Sequence, residues 1–127
     1  MEKKIFLKLD GVRGQSENPR HYGEIELTGM WWGGDNQLNS CVGSGRVGVN
    51  DVTVIKKADK SSPLLFLARN RAQAIKTGVI TVEEFAEWKS VVRTTRIEMY
   101  SVLVSTFLSD FETDSIGLNF AEVKMFT

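Results

Sequence analysis

The sequence predicts a mainly β protein, a compact barrel or sandwich with a single helix packed against it. Most of the chain consists of short segments in which apolar and polar residues alternate, separated by turns rich in Gly, Asp and Asn. One segment, which follows a Ser-Ser-Pro sequence, has helical spacing instead. With 127 residues, 42% of them hydrophobic and 25% charged, the chain has the size and composition of one folded domain spanning residues 1–127.

The first strands follow from the period-two alternation of a sheet that buries one face. A first strand contains Ile5–Leu9, and a second extends from Tyr22 to Trp32. The valines on either side of Asn50 and Asp51 predict a third strand, in which a change of apolar parity indicates a β-bulge. The predicted buried face of the second strand consists of Ile25, Leu27 and Trp31.

The C-terminal half contains one ambiguous segment and two clear strands. Val79–Lys89 begins with β-branched residues that favour a strand, but its later spacing also allows a helix that starts with a capping box. Val91–Phe107 is rich in β-branched and aromatic residues, which is typical of a strand. Residues 116–125 predict the last strand, with a slip of apolar parity after Phe120.

The helix has a clear start signal. Ser62 is a favourable N-cap and Pro63 a favourable first helical residue, so the amphipathic α-helix is predicted over residues 63–76. Gly78 suits the left-handed conformation that ends many helices. We expect Leu67 to be buried, because it lies on the apolar stripe of the predicted helix. That stripe consists of Leu64, Leu67, Ala68, Ala72 and Ile75.

Composition and charge argue against several classes of partner. The 16 Lys and Arg residues are balanced by 16 Asp and Glu residues, so the chain lacks the basic surplus of a nucleic-acid binder or of an electrostatic membrane binder. No apolar run has the length of a membrane span. The single Cys excludes an internal disulfide, and the first residues lack the apolar stretch of a signal peptide. A neutral chain also permits self-association.

No group of residues has the pattern of a catalytic, cofactor or metal site. Gly43–Gly48 fits a nucleotide-binding glycine pattern, but a valine-rich strand rather than a helix follows it. Asp110–Asp114 begins like a calcium loop without its central Gly or its final Glu. The glutamates within residues 83–87 indicate a solvated face, and His21 and Cys41 are too few for a zinc site. We therefore expect no enzymatic activity and no cofactor.

Two features are candidates for contacts between subunits. Trp31 and Trp32 are adjacent in a strand and therefore face opposite sides of the sheet. Either the domain buries both rings, or one ring anchors an interface, where tryptophan is enriched. The segment Asp35–Gly45 is polar, rich in glycine and without periodicity, which predicts an exposed loop. Its length, where a short hairpin turn would suffice, indicates a functional loop.

The stretch Val54–Leu64 resembles the central motif of the hemolysin-coregulated proteins (Hcp), the tube subunits of type VI secretion systems. In that family a strand leads through Asp-Lys-Ser-Ser-Pro into the single helix. The motif residues in this chain are Asp59, Lys60, Ser61, Ser62 and Pro63. Four further segments resemble the first, second and last two strands of the family in the same order, namely Ile5–Gly14, Glu24–Gly33, Val102–Ser105 and Ile116–Phe120.

The resemblance implies a β-barrel of two antiparallel sheets with one helix, and a strand at Val79–Lys89. It also implies hexameric rings that stack into a hollow tube, assembled in the cytoplasm and exported without a signal peptide, with effectors in the lumen. The partners are then other copies of the chain and the sheath, spike and effector proteins of the type VI system, without nucleic acid or membrane insertion. The loop implied to touch the next ring contains Asp35, Asn36, Gln37, Leu38, Asn39 and Ser40.

Two alternative functions remain open on the sequence. Phage tail tube proteins share the fold of the Hcp family, and a monomeric small barrel could bind a ligand at its mouth. A hydrolase would need titratable groups that converge in a pocket, and the sequence contains no such set. The mass of the protein in solution separates a ring from a monomer.

Overall fold

The structure, a computed structural model, describes residues 2–32, 51–87 and 90–127. Within these ranges it contains seven strands and one helix, α1, which spans Ser62–Asn70. The strands are β1 (Glu2–Leu9), β2 (Ile25–Leu27), β3 (Gly29–Trp32), β4 (Asp51–Lys57), β5 (Ile75–Phe85), β6 (Val91–Ser109) and β7 (Thr113–Phe126).

The described strands form one antiparallel sheet in the order β2-β1-β5-β6-β7-β4-β3. The two edge strands are neighbours in the chain, separated by Thr28 alone. β2 pairs with β1, whereas the backbone N–H of Thr28 donates to the carbonyl of Ile55 in β4 at 2.8 Å. The sheet therefore nearly closes on itself, which confirms the barrel with one helix. The two sheets that the sequence predicts are joined in one continuous sheet.

The core lies inside this barrel and beneath α1. Each long strand contributes apolar side chains that are fully or almost fully buried, and α1 contributes Leu65 and Ala68. Strand residues of the core include Leu7, Val54, Ile80, Met99 and Leu118. Removing such side chains from water is the main stabilising term of a domain of this size.

The single helix is confirmed, but it is shorter than predicted, and of its predicted buried face Ala68 is buried whereas Leu67 is not. The helix ends at Asn70 instead of residue 76, because Ile75 already pairs with Val102 in the sheet. Gly78 is not a helix cap, since it lies within β5, where a Cβ would be 2.8 Å from the Leu9 side chain. The buried positions of α1 are Leu65 and Ala68, and Leu67 remains 39% exposed.

The predicted buried face of the second strand is wrong at Trp31, because the predicted strand is divided into β2 and β3 at Thr28. The segment before Thr28 pairs with β1, and the segment after it pairs with β4. The alternation of buried and exposed residues therefore shifts by one position between β2 and β3. Ile25 and Leu27 are buried as predicted, but Trp31 is 51% exposed. Its neighbour Trp32 packs against the core instead.

The remaining strand predictions can now be assessed. The ambiguous segment that begins at Val79 is a strand as far as Phe85, within β5, and the strands β6 and β7 are confirmed. The slip of apolar parity after Phe120 is matched in the neighbouring strand β6. There the alternation of buried residues shifts by one position between Met99 and Val102, around Ser101, whose φ is 56°. The predicted bulge near Asn50 falls partly outside the described residues.

A pair of substitutions tests the buried face of α1. Leu65→Ala should lower the free energy of unfolding by about 2–5 kcal/mol, because Leu65 is fully buried and its truncation leaves a cavity. Leu67→Ala, two residues away, is the matched control and should cost far less. Urea unfolding of both variants measures the difference, and equal midpoints would contradict the assigned face.

Candidate functional site: a buried ion cluster and an exposed apolar surface

The Asp59–Pro63 motif surrounds a buried ammonium group. Lys56, the penultimate residue of β4, has a fully buried side chain. Its Nζ lies 2.8 Å from Oδ2 of Asp114 in β7, 2.9 Å from Oδ1 of Asp59, and 3.0 Å from Oγ of Ser62. It also donates to the backbone carbonyl of Lys57 at 3.1 Å. All three N–H donors of the ammonium are therefore provided with acceptors, as a buried charge requires.

The two serines of the motif complete this cluster. The Ser62 hydroxyl donates to Asp114 and accepts both from Lys56 and from the backbone N–H of Asp59, which uses its full hydrogen-bonding capacity. Ser62 is therefore not the helix N-cap that the sequence predicts. Ser61 occupies that position without a side-chain cap bond, and its hydroxyl and backbone N–H instead donate to Asp59 at 2.5 and 2.8 Å.

The cluster keeps both of its carboxyl groups ionised. Burial opposes ionisation of Asp114, but the hydrogen bonds from Lys56 and Ser62, together with the charge of Lys56, lower its pKa below the ordinary value. The pKa of Asp59 is lowered in the same way, since hydrogen bonds from Ser61 and Lys56 outweigh the cost of burial. The arrangement ties β4, α1 and β7 together, which is a structural role.

Lys60, the remaining charged residue of the motif, connects it to the segment between β1 and β2. Its backbone N–H donates to the side-chain oxygen of Gln15 at 2.8 Å, while the residue itself is exposed. Pro63 lies in the first turn of α1. Its missing N–H costs no hydrogen bond there, because the first N–H groups of a helix have no partner within the helix. The motif is thus the point at which the helix, two strands and this segment meet.

Next to the cluster lies an exposed apolar surface, which we call the tip surface. It consists of Pro63 and Phe66 from the start of α1, Phe107 and Leu108 from the end of β6, and Phe111 in the β6–β7 turn. Phe111 is 91% exposed and Leu108 is 68% exposed. The Phe66 and Phe107 rings meet edge to face with centroids 6.0 Å apart. An exposed apolar group of this kind marks an interaction site more often than it marks ordinary surface.

The adjacent tryptophans have separate environments. Trp32 packs against the core, with its ring 5.8 Å from that of Phe120, whereas Trp31 points outward. Their roles as interface aromatics stay predictions. The predicted ring-stacking loop, Asp35, Asn36, Gln37, Leu38, Asn39 and Ser40, lies outside the described residues, as do Cys41 and Gly43–Gly48.

The acidic segments of the sequence have structural partners. The Asp110 carboxylate accepts the N–H groups of Thr113 and Glu112, which lowers its pKa and shapes the β6–β7 turn. A hydrogen bond from Arg93 lowers the pKa of Glu84. The solvated face predicted for the glutamates of residues 83–87 is wrong for Glu83 and Glu84, which are buried beside partner side chains. Within the described ranges, no three His, Cys, Asp or Glu side chains are placed to hold a metal ion. The helix of the described part is also neither long nor apolar enough to cross a membrane.

The sequence and the fold both match a known family. Residues 6–126 match the family described as "Type VI secretion system effector, Hcp". The chain belongs to this family. The crystal structure of Hcp1 from Salmonella typhimurium superposes with a TM-score of 0.78 at 20% identity, over 98% of this chain and 85% of that chain. A structure described as a type six secretion system protein superposes with a TM-score of 0.76 at 26% identity, over 98% and 83% of the two chains. No curated protein sequence matches the chain significantly.

Membership of the Hcp family confirms the resemblance carried by the Asp59–Pro63 motif. It agrees with a structural protein of a type VI secretion system and not with an enzyme. The anti-feeding prophage cap, which terminates a tube, superposes with a TM-score of 0.51 at 10% identity, over 97% of this chain and 87% of that chain. That likeness shows a related fold alone, whereas the Hcp match identifies the family.

The buried cluster predicts a large effect of Asp114→Asn. The variant leaves Asp59 as the remaining carboxylate beside the buried Lys56 ammonium, so the free energy of unfolding should fall by up to about 3–5 kcal/mol. Glu112→Gln removes an exposed carboxylate two residues away and is the control. Urea unfolding at neutral pH measures both, and an Asp114→Asn variant as stable as the control would contradict the structural role of the cluster.

The same cluster predicts how stability depends on pH. Because folding lowers the pKa of Asp59 and Asp114, their stabilisation is present above the ordinary Asp pKa of about 3.9 and is lost as pH falls through the folded-state pKa values. Acid unfolding of the parent should therefore be steeper than that of Asp114→Asn. Parallel acid-unfolding curves followed by circular dichroism would contradict this.

Proposed function

We propose that this chain is the ring-forming subunit of a type VI secretion tube, with residues 1–127 as one tube-subunit domain. Six copies close a ring, and rings stack into a hollow tube that carries effectors in its lumen. The tube assembles in the cytoplasm within the sheath, ends at the spike, and is exported by the secretion machine. Family membership supports this proposal, since residues 6–126 match the Hcp family.

The tip surface is the structural observation that favours self-assembly most. Phe66 and Phe111 together expose roughly 280 Å² of aromatic side chain, taking ~200 Å² for a fully exposed ring, and Leu108 adds further apolar area. The two rings alone amount to about a third of the ~800 Å² that each partner buries in a standard interface. A second copy of the chain is the natural occupant, because a ring places the same surface of every subunit against a neighbour.

The formal net charge of zero supports the same conclusion. With 16 positive and 16 negative side chains, copies of the chain repel one another little at neutral pH. In addition, Trp31 remains a candidate interface aromatic, since it is half-exposed on β3, the last strand of the described sheet. Trp32 is less suited to that role, because it packs against the core of its own chain.

A monomeric binding module is the second candidate, and the tip surface is the feature that would serve it. The groove between α1 and the β6–β7 turn is lined mostly by apolar side chains, as a ligand site often is. Its polar lining side chains are those of Asp59, Ser62 and Ser109, and the first two already belong to the buried cluster. A monomer that keeps the tip surface exposed in solution would favour this second function.

Substitution of the tip surface tests the proposal. The double variant Leu108→Ser with Phe111→Ser should shift the protein from its assembled form toward smaller species, because it removes the two most exposed side chains of the surface. Val92→Ser, on the same strand and 53% exposed, is the matched control. Sedimentation velocity of all three proteins measures the change, with circular dichroism to confirm folding. A folded double variant that assembles like the parent would remove the tip surface from the interface.

The loop between β3 and β4 is predicted to act in stacking instead of in ring closure. Replacing Asp35–Ser44 with a short Asn-Gly turn should leave single rings intact and abolish stacks and tubes, because the polar side chains of the loop suit reversible contacts between rings. Size-exclusion chromatography and electron microscopy distinguish the products. Monomers would assign the loop to the ring interface, and tubes as frequent as those of the parent would exclude both roles.

A further inference from the structure

A buried histidine lies between two carboxylates in the segment that joins β1 to β2. His21 is the single histidine of the chain and is 8% exposed. Its Nε2 lies 3.1 Å from Oε2 of Glu83 in β5, and its Nδ1 lies 3.2 Å from Oε1 of Glu24. The ring stacks on Phe6 of β1, with centroids 4.1 Å apart and planes inclined by 12°.

If both carboxyl groups are ionised, these distances require a proton on each ring nitrogen. A neutral imidazole has one N–H donor and one lone pair, whereas an ionised carboxylate can only accept. In the neutral ring, one nitrogen lone pair would therefore face a carboxylate oxygen at hydrogen-bond distance. The imidazolium form donates at both ends and satisfies both carboxylates.

We propose that His21 is a proton-operated clamp: as an imidazolium it holds the 10–24 segment against β5, and loss of one proton releases one of its two attachments. The clamp is independent of the tube function proposed above, since it depends on contacts within one chain. It adds a pH-dependent conformational element to the fold.

Other charged groups near the ring do not replace either contact. Arg20 lies on the same segment, with Nη2 3.4 Å from the second Glu83 oxygen, and its side chain is largely exposed. Lys8 of β1 lines the same recess, as do Arg96 and Glu98 of β6, which pair with each other. At hydrogen-bond distance from the ring nitrogens, the described partners are the two carboxylates alone.

The segment that the clamp holds is connected to the buried ion cluster. Within it, the N–H of Gly14 donates to the carbonyl of Gly23 at 2.8 Å, and the N–H of Ser16 donates to that of Glu24 at 2.9 Å. Gln15 accepts the backbone N–H of Lys60 in the Asp59–Pro63 motif. Glu24 lies on the segment itself, so the Glu83 contact is the one by which His21 holds the segment to β5. Release of that contact loosens a segment that contacts Lys60, just before α1.

Because the chain has one histidine, nitrogen NMR of the imidazole reads this site without ambiguity. At about pH 7, where an unperturbed histidine is mostly neutral, the parent should show both ring nitrogens protonated. Glu83→Gln should return the ring to a single neutral tautomer at that pH, whereas Glu26→Gln, an exposed carboxylate on β2, should not. A neutral ring in the parent would overturn the proposal.

A second measurement covers the case in which Glu83→Gln fails to fold. His21→Gln keeps a polar side chain but cannot be protonated, so the parent should be more stable than this variant at acidic pH. That advantage should shrink several-fold at alkaline pH, because the ring without its second proton donates to one carboxylate instead of two. Urea midpoints of both proteins at a series of pH values measure it, and a constant difference would overturn the proposal.

Discussion

The buried ammonium group of Lys56 is the interaction on which the rest of this structure depends. A charge that is fully removed from water is tolerated only with complete hydrogen bonding, and Asp59, Ser62 and Asp114 provide it. Those partners come from the β4–α1 connection, the first residue of α1 and the second residue of β7. The start of the helix is therefore fixed against two strands. Phe66 is consequently held beside Phe107, and the tip surface follows from the position of the cluster.

Closure of the barrel is the second constraint. A nearly continuous sheet leaves few unpaired edges, which are otherwise templates for uncontrolled association. Here one segment supplies both outer strands, because the chain changes partner at Thr28 from β1 to β4. The change reverses the faces of the following residues, so that Trp32 enters the core and Trp31 faces out. The assembly proposed above therefore uses side-chain surfaces such as the tip surface in place of free sheet edges.

The sequence predicts those parts of the fold that depend on local pattern. Alternation identifies the strands, and the Ser-Ser-Pro signal identifies where the helix begins. Four consecutive apolar residues, Leu64–Leu67, leave the buried face of the helix undetermined, and β-sheet pairing of Ile75 decides its length. The Ser62 hydroxyl donates to Asp114, which lies 52 positions away in the sequence. The clamp joins His21 to Glu83, 62 positions away. Contacts between residues so far apart in the sequence leave no pattern in local spacing. For the cluster, Lys56 within a valine-rich strand is a local sign.

The central claim is that a neutral, closed barrel with an exposed apolar tip assembles with copies of itself. Native mass spectrometry of the unmodified chain across micromolar concentrations tests it most directly. The proposed function predicts a dominant species of six copies of the 14.2 kDa chain, with larger multiples of that ring where stacking occurs. Monomer as the sole species throughout that range would contradict it.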